Sequence, residues 1–226
     1  MRKTRTRLTA LCAALAAVLA AVLAAMPAYA DTVNVLTYGS AGGANVTDGD
    51  ALTAPIKAGT LATFYATPGG TSLIKCADSA FGATVVSNVA AAGTAKESLT
   101  LQSFGTCTPV GIPTVSGVQS IVVDNLPYAT TVDSAGAVLV TGTATAPIQT
   151  TIKLKSALGT VTCVYRADAD LVSGVASNAD QSITFTDQKF NRFSGPSACF
   201  PNGYFTASYG PVADTSVTGS PLVYVN

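Results

Sequence analysis

Apolar and polar residues alternate most regularly between residues 148 and 155. One face carries Ile148, Thr150, Ile152 and Leu154. The opposite face carries Gln149, Thr151, Lys153 and Lys155. A helix would scatter the two lysines around its circumference, whereas a strand places successive side chains on opposite faces. The segment therefore predicts a strand with one buried face and one face in water.

Similar short segments, rich in β-branched residues, recur along the chain between turns of Gly, Pro, Asn and Asp. They cover residues 32–38, 61–66, 72–76, 83–87, 98–104, 119–123, 128–132, 137–141, 161–165, 182–186, 205–209 and 222–225. Beyond residue 30, no window of helical length has apolar residues at i, i+3, i+4 spacing. We therefore predict an all-β fold. An antiparallel β-sandwich is the first expectation, and a closed or partly open β-barrel is the alternative.

The first 30 residues have the pattern of an export signal. A basic start, Arg2 to Arg7, is followed by an apolar run over residues 8–25, then Pro27, Ala28 and Ala30. This order is typical of a signal peptide that is cleaved after Ala30. Cys12 lies in the apolar run, and we expect it to be removed with the leader. Residues 31–226 are predicted to form a single β-rich domain.

Charge narrows the range of partners. After the leader the chain carries eight basic and twelve acidic residues, a formal charge of −4. It has no basic block, so binding to nucleic acid is not expected. It has no second long apolar run, so no membrane span is expected after signal cleavage. We predict a secreted, extracellular protein that is released or associated with the cell surface.

Two segments bounded by cysteines, about 70–107 and 159–199, share an order of landmarks. Each has Gly-Thr before its first cysteine, then Ser-Asn, then a strand with Ser-Leu-Thr or Ser-Ile-Thr, and a phenylalanine before its second cysteine. This order indicates an internal duplication.

The cysteines beyond the leader are Cys76, Cys107, Cys163 and Cys199. Four cysteines in an exported protein form two disulfides, which can pair in three ways. If each duplicated unit closes itself, the bonds are Cys76–Cys107 and Cys163–Cys199. Zinc binding is not expected, because the chain has no histidine and no C-x-x-C pair.

The absence of histidine also removes most familiar nucleophile and general-base systems, which leaves carboxylate or Ser–Lys chemistry. The close acidic pairs are Asp48–Asp50 and Asp168–Asp170, interpreted as solvated turn acids with calcium ligation as the alternative. The candidates for a sugar-stacking surface are Tyr38, Tyr65, Tyr128, Tyr204 and Tyr209. Packing of these tyrosines in the core or at the rim is the expected interpretation. No cofactor motif is present, and no catalytic or metal residue is predicted.

Several short motifs are similar to those of a known group of proteins. They are Ile74-Lys75-Cys76-Ala77-Asp78, the run 97–100 with Cys107, the run 159–166, and the ending Gly219-Ser220-Pro221. They resemble motifs of a group of small secreted β-proteins of actinomycetes with four cysteines. The resemblance covers nearly all of residues 31–226 and implies a bacterial exported protein. The shared motifs are structural, so the resemblance carries over no activity.

These observations favour a secreted, non-enzymatic structural or binding protein of unknown ligand, stabilised by two disulfides. Its partner would be a glycan, a cell-surface component or another protein. One alternative is a secreted hydrolase that uses carboxylates on extracellular glycans, with two facing acids that include Asp168 or Asp170. Another is an inhibitor or toxin-like module that binds a protein through an exposed loop such as residues 39–50.

Overall fold

A computed structural model describes residues 32–226; the predicted leader and Cys12 lie outside the described residues. Within that range the strands are β1 (Leu36–Tyr38), β2 (Ala44–Asn45), β3 (Ala51–Pro55), β4 (Ala62–Tyr65), β5 (Leu73–Ser87), β6 (Thr94–Val110), β7 (Val115–Asp124), β8 (Tyr128–Asp133), β9 (Ala137–Thr141), β10 (Gln149–Ser156), β11 (Gly159–Ala167), β12 (Leu171–Ser177), β13 (Ser182–Ser194), β14 (Asn202–Tyr209), β15 (Ala213–Asp214) and β16 (Val223–Val225). One turn of 3-10 helix, Asp168–Asp170, joins β11 to β12. The all-β prediction is confirmed. Between residues 32 and 226, no helix has the length and apolarity needed to span a membrane.

Eight strands close into a ring. In order around it they are β12, β9, β8, β6, β5, β4, β14 and β13, and β13 returns to β12. The closure depends on β12, which pairs antiparallel with β9 along one edge and with β13 along the other. The fold is thus the closed barrel of the alternative prediction and not the sandwich of the first expectation. Because hydrogen bonding runs unbroken from strand to strand, the ring contains no two separate sheets that could stack.

Two long strands carry the chain beyond the ring. β13 pairs with β12 over residues 182–185 and with β11 over residues 190–194. The second half of β13 begins an extension of the sheet, in which β11, β10 and β7 follow in that order. β6 pairs with β8 only over residues 94–99, although it pairs with β5 along nearly its whole length. The second half of β6 and the extension therefore form a less closed end of the molecule.

The strand predicted over residues 148–155 corresponds to Ile148 and β10. Ile148, Ile152 and Leu154 are buried, whereas Lys153 and Lys155 are exposed. β10 lies between β7 and β11, so its backbone is paired on both sides while one face contacts the core. The predicted division into a buried face and a solvent face is confirmed.

Smaller strands cover one region of the barrel wall. β3 pairs with β5 and β15, and a separate three-stranded sheet has the order β16, β1, β2. Asn88 connects this sheet to the segment after β5. Its Oδ1 accepts from the Leu36 N–H at 3.0 Å, and its Nδ2 donates to the Leu36 and Val46 carbonyls at 2.7 and 2.8 Å. These bonds tie backbone groups of the sheet to the segment after β5.

The structure contains two disulfides. Cys76 and Cys107 are opposite each other in the β5–β6 ladder, with their Cα atoms 4.0 Å apart. Cys163 on β11 is bonded to Cys199, which lies in the connection between β13 and β14. The first bond thus joins two strands of the ring, and the second fixes a loop to the extension.

The two cysteine-bounded segments differ in their strands. The segment 70–107 consists mainly of β5 and β6, whereas the segment 159–199 contains β11, β12 and β13. The internal duplication, and the single domain over residues 31–226, stay predictions.

Candidate ligand-binding cavity

The barrel contains a cavity of about 110 Å³. Inward side chains of the ring strands form most of its wall, and β7 and β10 of the extension complete it. Six of its lining side chains are phenylalanines, namely Phe64, Phe81, Phe104, Phe185, Phe190 and Phe205. A barrel of eight strands is just wide enough for its interior to be filled by side chains or to hold one small ligand. Here the side chains leave a space.

Aromatic contacts hold this wall in place. The Phe104 and Phe205 rings meet edge to face with centroids 6.0 Å apart, and Phe64 contacts Phe190 in the same way at 5.8 Å. Such edge-to-face ring pairs contribute stabilisation beyond the area that they bury. The cavity is therefore bounded by packed rings that have few alternative positions.

Glu97 points its carboxyl group into this apolar space. It lies on β6 between the inward residues Ala95 and Leu99, and its exposed fraction is 7%. Within residues 32–226 no group donates a hydrogen bond to the carboxyl, and no cation pairs with it. Burial alone raises the pKa of Glu97 from its ordinary value of 4.5 to about 7. A buried acid normally has a partner, because desolvation penalises its charged form.

Thr130 lies beside Glu97 on the same inner surface. The two residues are directly opposite in the β6–β8 ladder, a position in which Cβ atoms are about 5 Å apart. Thr130 is buried, and its Oγ1 has no hydrogen-bond partner in the described part of the chain. The barrel thus presents two adjacent polar groups whose hydrogen-bonding capacity is unused.

Several other polar groups around the cavity are paired within the protein. The Tyr209 hydroxyl contacts Ser79 Oγ at 2.8 Å and accepts from Gln102 Nε2 at 2.8 Å. The Tyr128 hydroxyl donates to the Asp124 carbonyl and accepts from the Gln149 N–H. Burial raises the pKa of Tyr209 to about 12, so its hydroxyl stays neutral. Glu97 and Thr130 differ from these groups in having no internal partner.

The acidic pair of the hydrolase hypothesis lies away from the cavity. Asp168 is exposed on the 3-10 turn, where its Oδ1 accepts from Asn191 Nδ2 at 2.7 Å and its Oδ2 is 3.8 Å from Lys189 Nζ. Asp170 is on the same turn, and neither residue lines the cavity. These contacts agree with solvated turn acids and supply no facing acid from another element.

The other predicted pair serves the local backbone. Asp48 Oδ1 accepts from the Asn88 N–H, and Asp50 Oδ2 accepts from the Thr47 N–H. Asp214 is fully buried, and its pKa is raised first by burial and then by the neighbouring Asp50 carboxyl. No group of three or more His, Cys, Asp or Glu side chains suited to a metal ion occurs within residues 32–226.

The five candidate tyrosines are distributed over different parts of the molecule. Tyr128 and Tyr209 are buried, with their hydroxyls bonded inside the protein. Tyr65 and Tyr204 are opposite each other in the β4–β14 ladder, and Tyr38 belongs to the small three-stranded sheet. They therefore provide core and rim packing and no common stacking surface.

The loop proposed for protein binding, residues 39–50, is partly held in place by strand pairing and burial. It includes β2, and Val46 is buried, whereas residues 40–42 are exposed. The inhibitor hypothesis stays a prediction.

Neither Glu97 nor Thr130 is among the site residues predicted from the sequence. A signal was present for Glu97, because Ala95, Glu97 and Leu99 alternate with Lys96, Ser98 and Thr100. A glutamate on the apolar side of such a strand is a buried-acid candidate. Thr130 carries no comparable signal, since threonine is common on both faces of strands.

No protein-family model, curated protein or solved structure matches this chain. The resemblance to secreted actinomycete proteins stays a prediction.

Proposed function

We propose that this chain is an exported, non-enzymatic binding protein that holds one small, largely apolar molecule inside its barrel. The observation that carries the proposal is the cavity of about 110 Å³ walled by six phenylalanines. An apolar cavity of about 150 Å³ in another protein stays dry and binds benzene, so the smaller space here suits a ligand of at most about one ring. Export is supported by the signal pattern of residues 1–30 and by the two disulfides.

A binding role fits the lining better than catalysis does. In the described part of the wall, Glu97 is the only carboxylic acid, and the hydroxyl groups of Tyr128 and Tyr209 nearby are engaged in hydrogen bonds. Glycoside hydrolysis requires two carboxyl groups on either side of the scissile bond. A single acid in an apolar wall can orient a ligand, and it does not supply that pair.

Toluene titration followed by NMR of valine, leucine and isoleucine methyl groups tests the proposal. Small ligands gain limited free energy, so we expect affinity in about the micromolar to millimolar range, which NMR measures well. Methyl groups of the lining residues Ile183, Val138 and Val172 should shift in a saturable way. Absence of saturable shifts at these residues would show that the cavity does not bind apolar ligands.

Two substitutions on β9 provide a matched pair for this titration. Val140 lines the cavity and Leu139 faces outward with 36% of its surface exposed. Val140→Phe should fill the space and abolish toluene binding, whereas Leu139→Phe adds an aromatic ring on the outer surface and should leave binding unchanged. Equal toluene affinity in both variants would place the ligand elsewhere and contradict the proposal. Circular dichroism of both variants checks that they remain folded.

A further inference from the structure

The carboxyl of Glu97 lacks the partner that a buried acid ordinarily has. Its exposed fraction is 7%, and within the described residues neither a hydrogen-bond donor nor a cation contacts it. Buried charges in proteins are paired, because an unpaired charge in an apolar medium is strongly unfavourable. The space in front of Glu97 is the ligand cavity itself. The missing partner can therefore come from the ligand.

The charged groups on the neighbouring strands do not supply it. Lys96 precedes Glu97 and is exposed on the outer surface, as are Lys75 and Asp78 on β5. On β8, Asp133 Oδ1 accepts from the Ala135 and Ala137 N–H groups at the hairpin. β9 and β12 contain no charged residue, and β4 and β14 carry only tyrosines as titratable groups.

The strands across the barrel also keep their charges away from the cavity. On β13, Lys189 and Asp187 are exposed, and Arg192 donates to the Pro196 and Cys199 carbonyls. On β7, Asp124 Oδ2 accepts from Gln149 and Thr151, and on β10 the lysines Lys153 and Lys155 are exposed. Glu97 is consequently the only formally charged side chain in the described lining.

Glu97 and Thr130 together form a set of hydrogen-bond acceptors. An ionised carboxylate only accepts hydrogen bonds, and a threonine hydroxyl has two acceptor lone pairs. An ammonium group offers three donors and a positive charge, and charge-assisted bonds of this type are the strong ones. The phenylalanine wall suits an apolar body, and its ring faces also attract cations.

We infer that the ligand is an amphipathic primary amine, whose ammonium group bonds to Glu97 and Thr130 and whose apolar body fills the phenylalanine-walled cavity. This inference rests on the proposed function and names the chemical class of the ligand. The cavity volume limits the body to about one ring or a short branched chain.

The direction of the pH dependence separates this ligand class from others. In the empty barrel the pKa of Glu97 is about 7. An ammonium group binds the carboxylate, so affinity should be highest above pH 7 and should fall about tenfold per pH unit below it. A neutral hydrogen-bond acceptor would bind the protonated acid and show the opposite dependence. A hydrocarbon gains nothing from ionisation of Glu97, so its affinity should not increase as the pH rises.

Benzylamine, benzyl alcohol and toluene provide a series of nearly equal shape for the test. NMR titrations of the protein without its predicted leader, residues 31–226, are made with each compound on the acid side and the alkaline side of pH 7. We expect benzylamine to bind more tightly than toluene above pH 7, by about tenfold or more. We expect its affinity to decline on acidification.

Variants at neighbouring positions identify the groups that bind the amine. Glu97→Gln should remove both the preference for benzylamine and its pH dependence while toluene still binds. Thr130→Val should weaken benzylamine binding more than toluene binding. Lys96→Gln, at the adjacent outward position, should behave as the unmodified protein.

Three results would overturn the inference. Toluene binding without any preference for benzylamine would show a purely apolar site. Tighter binding of benzyl alcohol below pH 7 would assign a neutral ligand to protonated Glu97. Benzylamine binding that is unaffected by Glu97→Gln would locate the amine elsewhere. In each case the proposed function survives if toluene binds in the barrel. If toluene does not bind, the proposed function fails as well.

Discussion

Glu97 makes folding depend on pH because burial changes its proton affinity. The pKa of this carboxyl rises from 4.5 to about 7 on folding, so the folded state binds the proton more tightly than the unfolded chain does. The contribution of protonated Glu97 to the free energy of unfolding is fully present below pH 4.5 and is lost as the pH rises through 7. Asp214 acts in the same direction, because burial and the adjacent Asp50 also raise its pKa.

We predict that Glu97→Gln removes most of the loss of stability that occurs as the pH rises. In the ligand-free protein, the free energy of unfolding should fall by on the order of 3 kcal/mol between pH 4.5 and the alkaline side of pH 7. The glutamine variant should show a much flatter profile, with the remaining slope due to Asp214. Urea unfolding at several pH values measures both profiles. Lys96→Gln serves as the outward control, and an equal flattening in that variant would exclude Glu97 as the source.

At the scale of elements, the contact between β14 and β4 depends on a glycine. The Phe64 ring lies directly against the backbone of Gly203, where an added Cβ would overlap the ring. Phe64 cannot easily move, because its ring packs against two others. The distance between ring centroids is 5.0 Å to Tyr165 and 5.8 Å to Phe190. This close approach fixes the orientation of one aromatic ring of the cavity wall.

Gly203→Ala should therefore destabilise the protein by about 3 kcal/mol, since overpacking a fixed core forces backbone or ring displacement. Gly117→Ala is a matched control, because an added Cβ there would be 3.6 Å from Lys155 Cδ, an ordinary contact. Alanine at that strand position should be neutral or stabilising by up to about 1 kcal/mol. Thermal unfolding of the two variants measures the difference. Similar melting temperatures would contradict the packing that we describe around Phe64.

Over the whole molecule, the two disulfides have different structural roles despite similar loop lengths. Cys76–Cys107 lies inside the β5–β6 ladder, which continues on both sides of it. Cys163–Cys199 fixes the connection between β13 and β14, where Arg192 Nη1 also donates to the Cys199 carbonyl at 2.7 Å. The sequence separations are 31 and 36 residues, so loop entropy predicts a nearly equal stabilisation of about 4 kcal/mol for each bond.

Replacement of each cysteine pair by serine should therefore lower the free energy of unfolding by similar amounts. Only loss of Cys163–Cys199 should expose residues 195–201 to proteases in the folded state, because the β5–β6 ladder holds the other segment without its disulfide. Limited proteolysis with mass spectrometry identifies the cleavage sites. Preferential cleavage near Cys107 in the first variant would contradict this assignment of roles.

The amino-acid sequence by itself determined the class of the fold. Alternation such as that of residues 148–155 follows from the period of a strand, and it separates buried Ile152 from exposed Lys153 without knowledge of the neighbours. It also predicted the two disulfides from the cysteine count and the export pattern. These properties depend on local geometry or on composition, which the sequence contains directly.

Simple alternation fails within β6 because of a bulge. Leu99 is paired with Ala83 and Leu101 with Gly82, which leaves Thr100 as an extra residue on this strand. Leu101 consequently faces outward with 49% of its surface exposed, and Gln102 and Phe104 line the cavity. A bulge depends on the register with the neighbouring strand, so the residues of β6 alone do not reveal it.

Closure of the barrel and the unpaired state of Glu97 were decided only by the tertiary structure. The same short alternating strands suit a sandwich or a barrel, and the outcome here depends on β12 pairing with β9 and β13 at once. The inward position of Glu97 can be read from its neighbours, whereas the lack of a partner depends on every strand that faces it. Long-range pairing therefore produced both the cavity and the unpaired carboxyl within it, and neither is encoded by a local pattern.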